Sequence, residues 1–366
     1  LAQLVEIGLQ RNCPERQVPH LKIEVLVMRQ ILLSKNQQAK ADYVQAVRDQ
    51  AKGAVIHIHP ENTQPYSVER VYRTTYEALN KTEVWLHVNS LAGEATTVIL
   101  ENPTRYPKIS SPKFKMLQRL SFRCGNLAIV DIVPFTLDIQ YLYGTYSYLG
   151  RGILGYSHYY AWRENYQEMT EDGVMSSAHD HALIAQKVKG CTLIDYTGFL
   201  TVQRETVRFN STEAERAEYE AKKAELFEAE TNPQRIVTRL ADHAHAKQSR
   251  TNAALELVSG LQGECLLYCN LGSYATRLNA ALKKAKLHNK AKAVSYATAT
   301  EGTNNLIYVE SPIVKSYLLL DAEARGADAV YHLLGDLKVD LHLYNTVQHE
   351  ISQINDLTKE LHRATH

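Results

Sequence analysis

"ATATEGTNNLIYVESPIVKSYLLLDAEARG", residues 297–326, reads as strand, glycine turn, strand and helix. "NLIYVES" is a short apolar run between turn formers, the pattern of a strand buried on both faces of a parallel sheet. A Gly-Thr-Asn turn precedes it, and the following helix carries one arginine, Arg325. Working outward, "CLLYCN", "AVSYAT" and "DAVYHLL" are further short strands, and "RTNAALELVSGL" and "SYATRLNAALKKAK" are helices between them. Short helices alternating with short buried strands imply right-handed crossovers and a doubly wound α/β sheet over residues 236–366, closed by a long terminal helix.

The same alternation occupies residues 1–150, where "AVIHIHP", "EVWLHV", "ATTVIL" and "LAIVDIVP" are strand-like. Residues 151–235 differ. They begin rich in tyrosine and tryptophan, and end in "STEAERAEYEAKKAELFEAE", a solvated helix with a cap and Glu/Lys pairs at helical spacing. The expected architecture is two α/β lobes with parallel sheets, 1–150 and 236–366, around a helical, aromatic-rich insert and linker at 151–235. The best linker candidate is "ETNPQR", residues 230–235.

Length and composition agree with this division. A chain of 366 residues is long for one core. A formal charge of +1 supplies no long-range attraction to a polyanion, so a nucleic-acid site has to be a local basic surface. No apolar run approaches the roughly 20 residues that cross a bilayer, and no signal peptide is visible, so the chain reads as cytoplasmic. Five scattered cysteines show neither a disulfide framework nor a zinc ribbon.

The order of elements resembles superfamily-two helicases, most closely their Swi/Snf-like branch, in the style of a phage or mobile-element protein. The carriers are "NLGSY" after a strand, "ATEGTNN" into "LIYVESP", the helix ending "DAEARG", and "FNSTEAERAEYEAKKAELF" ahead of the second lobe. "VDIVPFTLDIQYLY" keeps the later half of a family turn, with Asp131, Ile132 and Val133 in place of its Thr and Gly. The resemblance covers roughly residues 50–350. It implies two RecA-like lobes, Gly302 and Asn304 facing nucleotide and nucleic-acid backbone, and Arg325 facing a triphosphate from across the cleft. It implies double-stranded DNA as the partner, with protein partners in an assembly as a further expectation.

Three departures bear on activity. There is no Gly-Lys-Thr or Gly-Lys-Ser phosphate loop, and its expected place near residues 15–30 holds "ERQVPHLKIEVLVMRQ". "TTVILEN" puts Leu100 where the family has its magnesium-holding aspartate, leaving Glu101 as the remaining candidate catalytic carboxylate. The family's second arginine is missing near Ala327. Loss of these groups removes most of the electrostatic stabilisation that phosphoryl transfer needs, so a degenerate ATPase acting as a binding or assembly subunit is expected. The enzyme alternative is an ATP hydrolase of translocase type, using ATP and Mg, with divergent motifs or a phosphate loop ahead of Leu1. A structural subunit that binds no nucleic acid is the third reading.

Lys108, Lys113, Lys115 and Arg119 cluster in "RYPKISSPKFKMLQR", where the resembled family approaches DNA. The tyrosines of "YLYGTYSYLGRGILGYSHYYAWRENYQE" are read as packing a helical subdomain with their hydroxyls at its surface. His57 and His59, His179 and His181, and His243 and His245 are each spaced by two. On a strand such spacing puts both rings on one face, but with no cysteine or carboxylate foreseen nearby they are read as structural, and no metal site is expected. Without a Gly-x-Ser-x-Gly elbow, no serine hydrolase is indicated.

Overall fold

A computed structural model describes residues 29–60, 64–103, 109, 111–135, 140–169, 176–178, 180–196, 203–269, 272–294, 305–308 and 329–366. The first part of the chain runs β1 (Arg29–Leu33), α1 (Gln37–Gln50), β2 (Val55–His59), β3 (Tyr66–Val68), β4 (Val71–Thr75), α2 (Thr82–Leu91), β5 (Thr97–Glu101), α3 (Pro112–Arg123) and β6 (Asn126–Asp131). It continues through α4 (Gln140–Leu149), α5 (Tyr159–Tyr166), β7 (Gln167–Met169), β8 (Ser176–Ala178), α6 (His181–Val188) and β9 (Thr192–Ile194). The second part runs β10 (Gln203–Arg208), α7 (Glu213–Ala229), α8 (Pro233–His245), α9 (Gln248–Gly260), β11 (Cys265–Tyr268), α10 (Gly272–Lys284), β12 (Ala291–Val294), β13 (Asn305–Tyr308), β14 (Ala329–Leu334) and α11 (Lys338–Thr365).

Among the described residues, the first sheet has seven strands in the order β3-β4-β2-β5-β6-β1-β9, parallel except where β3 meets β4. The second has five, β10-β14-β13-β11-β12, parallel throughout. Take the parallel strands of each lobe in chain order, from β1 and from β10. In both sheets the first strand lies beside the fifth, followed by the fourth, the second and the third. One winding pattern therefore occurs twice, giving the two α/β, RecA-like lobes with parallel sheets that the sequence leads one to expect.

Pleating explains why the strands read as continuous apolar runs. Ile31, Leu33, Ile56, Ile58, Val98, Leu100, Leu127 and Ile129 face one core, shared with Val84 and Val88 of α2, Phe114, Leu117 and Leu120 of α3, and the tyrosines of α4. Leu32, Val55, Ile99, Ala128 and Val130 face the other, under Tyr43, Val44 and Val47 of α1. With helices on both faces, neither set of side chains meets water. Gly125 makes the turn from α3 into β6 against the carbonyl of Glu94, an approach that a Cβ would block.

The two sheets divide the chain between residues 194 and 203, inside the stretch read from sequence as insert and linker. The aromatic cluster is present, but α5, the β7–β8 hairpin and α6 lie on the excursion from β6 back to β9, at the edge of the first sheet. Residues 230–232 join α7 to α8.

The tyrosines of α4 correct the sequence reading. Tyr141, Tyr143, Tyr146 and Tyr148 are buried in the main core, and the Tyr146 hydroxyl bonds to Thr192 Oγ1 at 2.9 Å rather than to solvent. Burial of the ring surface decides this. α4 packs against α3 and fills the layer that a more aliphatic helix would otherwise occupy.

α11 joins the lobes. Val339 and Leu343 pack with Tyr219, Leu226, Ile236 and Leu240 of α7 and α8, whereas Val347, Ile351, Ile354, Leu357 and Leu361 complete the core of the first lobe.

Candidate functional site

The pleat that buries Ile99 under α1 sends His57, Arg73 and Glu101 to the same face. His57 of β2 pairs in register with Arg73 of β4 on one side and with Ile99 of β5 on the other, and Glu101 is two residues further along β5. α1 crosses this face with Gln37, Lys40, Gln45 and Arg48 on one flank. Between helix and strands is a cleft of about 310 Å³ at the carboxyl ends of β2, β5 and β6, where open α/β sheets place their ligands.

Three side chains form a relay along its floor. His57 Nε2 donates to Glu101 Oε1 at 2.6 Å, and Arg48 Nη2 donates to His57 Nδ1. Burial lowers the His57 pKa, outweighing the pull of Glu101 in the opposite direction, so the imidazole is neutral with its proton on Nε2. Burial pushes the Glu101 carboxyl up, but the hydrogen bond donated by His57, with help from the Arg73 charge, carries it below its ordinary value. Glu101 is therefore ionised, with one oxygen committed to histidine. The Tyr76 hydroxyl holds the Glu101 carbonyl at 2.9 Å. Asn102 turns the chain away with φ of 50°, a left-handed conformation that asparagine tolerates, and its N–H donates to Val130 O at 2.7 Å.

The connection from β1 to α1 occupies the place where a phosphate loop belongs. It correctly follows the first strand and opens a helix, but it consists of Ser34, Lys35 and Asn36, without glycine. The Asn36 side chain accepts from the N–H groups of Gln38 and Ala39 at 2.9 and 3.2 Å, engaging the helix-terminal donors that a bound phosphate would use. Ser34 donates its N–H to Asp131 O at 2.9 Å and its hydroxyl to the Asp195 carboxyl, and Lys35 lies 5.0 Å over the Tyr196 ring. Lys40, in the first turn of α1, is buried. Leu100 is also buried, in the core on the sheet face away from the cleft. These residues do not fit a magnesium nucleotide. The helix N-terminus caps itself, a carboxyl group sits on the loop, and the metal-holding position is aliphatic.

Several expectations change accordingly. The strand, loop and helix at the phosphate-loop position span residues 29–50; residues 15–28 of the stretch expected from sequence lie outside the described residues. Glu101, read from sequence as a candidate catalytic carboxylate, hydrogen-bonds His57, so a carboxylate does stand beside a histidine of the His57/His59 pair. Among the described residues no group of three or more His, Cys, Asp and Glu is arranged to hold a metal. Asp180, between His179 and His181, caps α6 by accepting from Leu183 N at 2.8 Å. Gly302, Asn304, Arg325 and Lys108 lie outside the described residues.

The remaining basic candidates lie on α3. Ser111 caps this helix and Pro112 starts it. Its twelve residues contain no carboxylate. Lys115 and Arg119 are exposed and four apart, and Arg123 continues the same face, while Lys113 is half-buried. Among the described residues no ion pair engages Lys115 or Arg119. Arg123 was missed in the sequence; its signal was the i, i+4, i+8 spacing. Arg48 and Arg73 were missed because their role depends on strand register.

No family model and no curated protein matches the sequence. Similar solved structures include the Sulfolobus solfataricus SWI2/SNF2 ATPase core in complex with dsDNA, at 11% identity and a TM-score of 0.35, covering 91% of this chain and 90% of that one. The Pyrococcus furiosus Hef helicase domain is similar at 9% identity and a TM-score of 0.40, covering 87% and 88%. S. cerevisiae Dbp5 bound to RNA and ADP BeF3 is similar at 8% identity and a TM-score of 0.47, covering 92% and 90%.

Proposed function

We propose that this chain is a helicase-like, two-lobed protein of Swi/Snf type that binds duplex DNA through α3, and that its nucleotide site has been rebuilt into a self-satisfied polar cluster without ATPase chemistry. The observation that carries the reading is the β1–α1 connection. It stands at the phosphate-loop position of a winding pattern present twice in the chain, yet Asn36 occupies its helix-terminal donors. The His57 bond to Glu101 supports the same reading, because a carboxylate held by histidine is less available to polarise water. The DNA part rests on the exposed cationic face of Lys115, Arg119 and Arg123, in a chain whose overall charge supplies no attraction of its own.

Two measurements test it. Purified chain should hydrolyse no ATP above background, with or without duplex DNA; turnover that disappears in Glu101→Gln would overturn the loss of ATPase chemistry. Duplex DNA should be retained at low salt. Neutralising Lys115 and Arg119 should weaken retention and flatten the dependence of log K on log salt by about 2. If retention is absent even at low salt, the chain is a structural subunit and the DNA reading fails.

A further inference from the structure

The cleft under α1 has a charge imbalance that the relay does not explain. Among the described residues, Arg48 and Arg73 line it against a single carboxylate, Glu101, and His57 is neutral. The guanidinium groups of Arg48 and Arg73 are close enough to repel each other. Each also has a buried Nε donor without a hydrogen bond, and Asn102 contributes a buried Oδ1 acceptor in the same condition. Buried polar atoms of folded proteins are nearly always paired, so three orphans around one cleft indicate a missing partner. Arg73 is held from outside by the Tyr66 hydroxyl at 2.8 Å, with its guanidinium 5.7 Å from the Tyr66 ring centre. This fixes its head group while leaving Nε unpaired.

We propose that this cleft binds a small phosphate-bearing anion between Arg48 and Arg73. Guanidinium forks match phosphate oxygens, and a monohydrogen phosphate has the one O–H that Asn102 Oδ1 can accept. The volume of about 310 Å³ is at the small end for ligand sites, suiting inorganic phosphate or a compact phosphomonoester. Arg48 is eleven residues along α1 from Gln37, so this position is on the flank of the helix, about 16 Å from its capped N-terminus. It is a different place from the phosphate-loop position, and the inference does not depend on the helicase-like reading.

The test uses the full chain in chloride buffer at constant ionic strength, with inorganic phosphate, a nucleoside monophosphate and duplex DNA as separate probes, read by thermal shift and calorimetric titration. Inorganic phosphate or the monophosphate should raise the melting temperature and bind at one site. Arg73→Gln should weaken that binding roughly tenfold or more while melting within a few degrees of the wild type without phosphate. Lys189→Gln, at an exposed lysine away from the cleft, should leave it unchanged. Absence of phosphate and monophosphate binding, binding that Arg73→Gln leaves intact, or Arg73-dependent binding of duplex DNA alone each overturns the proposal. ATP turnover plays no part in these readings, so failure here is distinguishable from failure of the proposed function.

Discussion

Arg250 of α9 and Asp340 of α11 form an ion pair at 2.5 Å in which both side chains are 1% exposed. Arg250 also lies over the Phe209 ring at 5.2 Å, and the buried His245 is close enough to feel its charge. Removing one member of such a pair strands the other, typically at a cost of about 3–5 kcal/mol, a large part of the 5–15 kcal/mol by which domains are stable. The two losses should differ in kind. Asp340→Leu leaves a guanidinium that cannot shed its charge, so the full penalty applies at any pH. Arg250→Met leaves a carboxyl that burial already pushes up, and without arginine to pull it back Asp340 can take a proton. Arg250→Met should therefore cost less at pH 5 than at pH 8, and the double variant should recover most of the loss, giving a coupling of several kcal/mol. Urea denaturation at both pH values, followed by far-UV circular dichroism and by fluorescence of the buried Trp162, measures all four species. An Asp340→Leu cost under about 1 kcal/mol, or equal pH-independent costs for both single variants, would refute the argument.

Stability should also fall on acidification below pH 6.5. His57, His181, His245 and His332 all have their pKa lowered by burial, so the unfolded chain takes up these protons first; the stability is complete above the unfolded value and is lost as pH falls toward the folded values. His332, lowered to about 4, accounts for about 3 kcal/mol of this, and His332→Gln should flatten the loss between pH 6.5 and 4 in denaturant titrations. Gly125→Ala should destabilise the first lobe by about 1–3 kcal/mol in the same assay, because the added methyl meets the Glu94 carbonyl; a neutral result would mean that the α3–β6 turn has room to move.

What could be read from the sequence follows from what each element buries. "AVIHIHP", "ATTVIL" and "LAIVDIVP" were legible as β2, β5 and β6 because helices cover both faces of the sheet and every position along the strand is apolar. β1 was not. "RQILL" lies at the end of a longer apolar stretch, and its following loop has none of the glycines that would have marked it. β9 is three residues long, too short for any periodic signal, so the first lobe ends later than composition suggests. The tyrosines of α4 read as packing a helical subdomain with their hydroxyls at its surface because tyrosine is amphipathic, whereas their position between α3 and β9 makes them core. The site was half legible. Glu101 was found from the end of its strand, but Arg48 and His57 reach it through parallel register and a helix laid across the sheet, and sequence spacing encodes neither.

Because α11 is one unbroken helix of 28 residues, about 42 Å long, with its opening turns in one lobe and its remainder in the other, the chain cannot hinge between lobes without breaking that rod or pulling five large aliphatic side chains out of a shared interior. Whatever docks across both lobes meets a surface already set before the encounter. Association should be single-phase, with little ordering entropy lost on contact. Amide hydrogens along residues 347–361 should exchange only when the whole molecule opens.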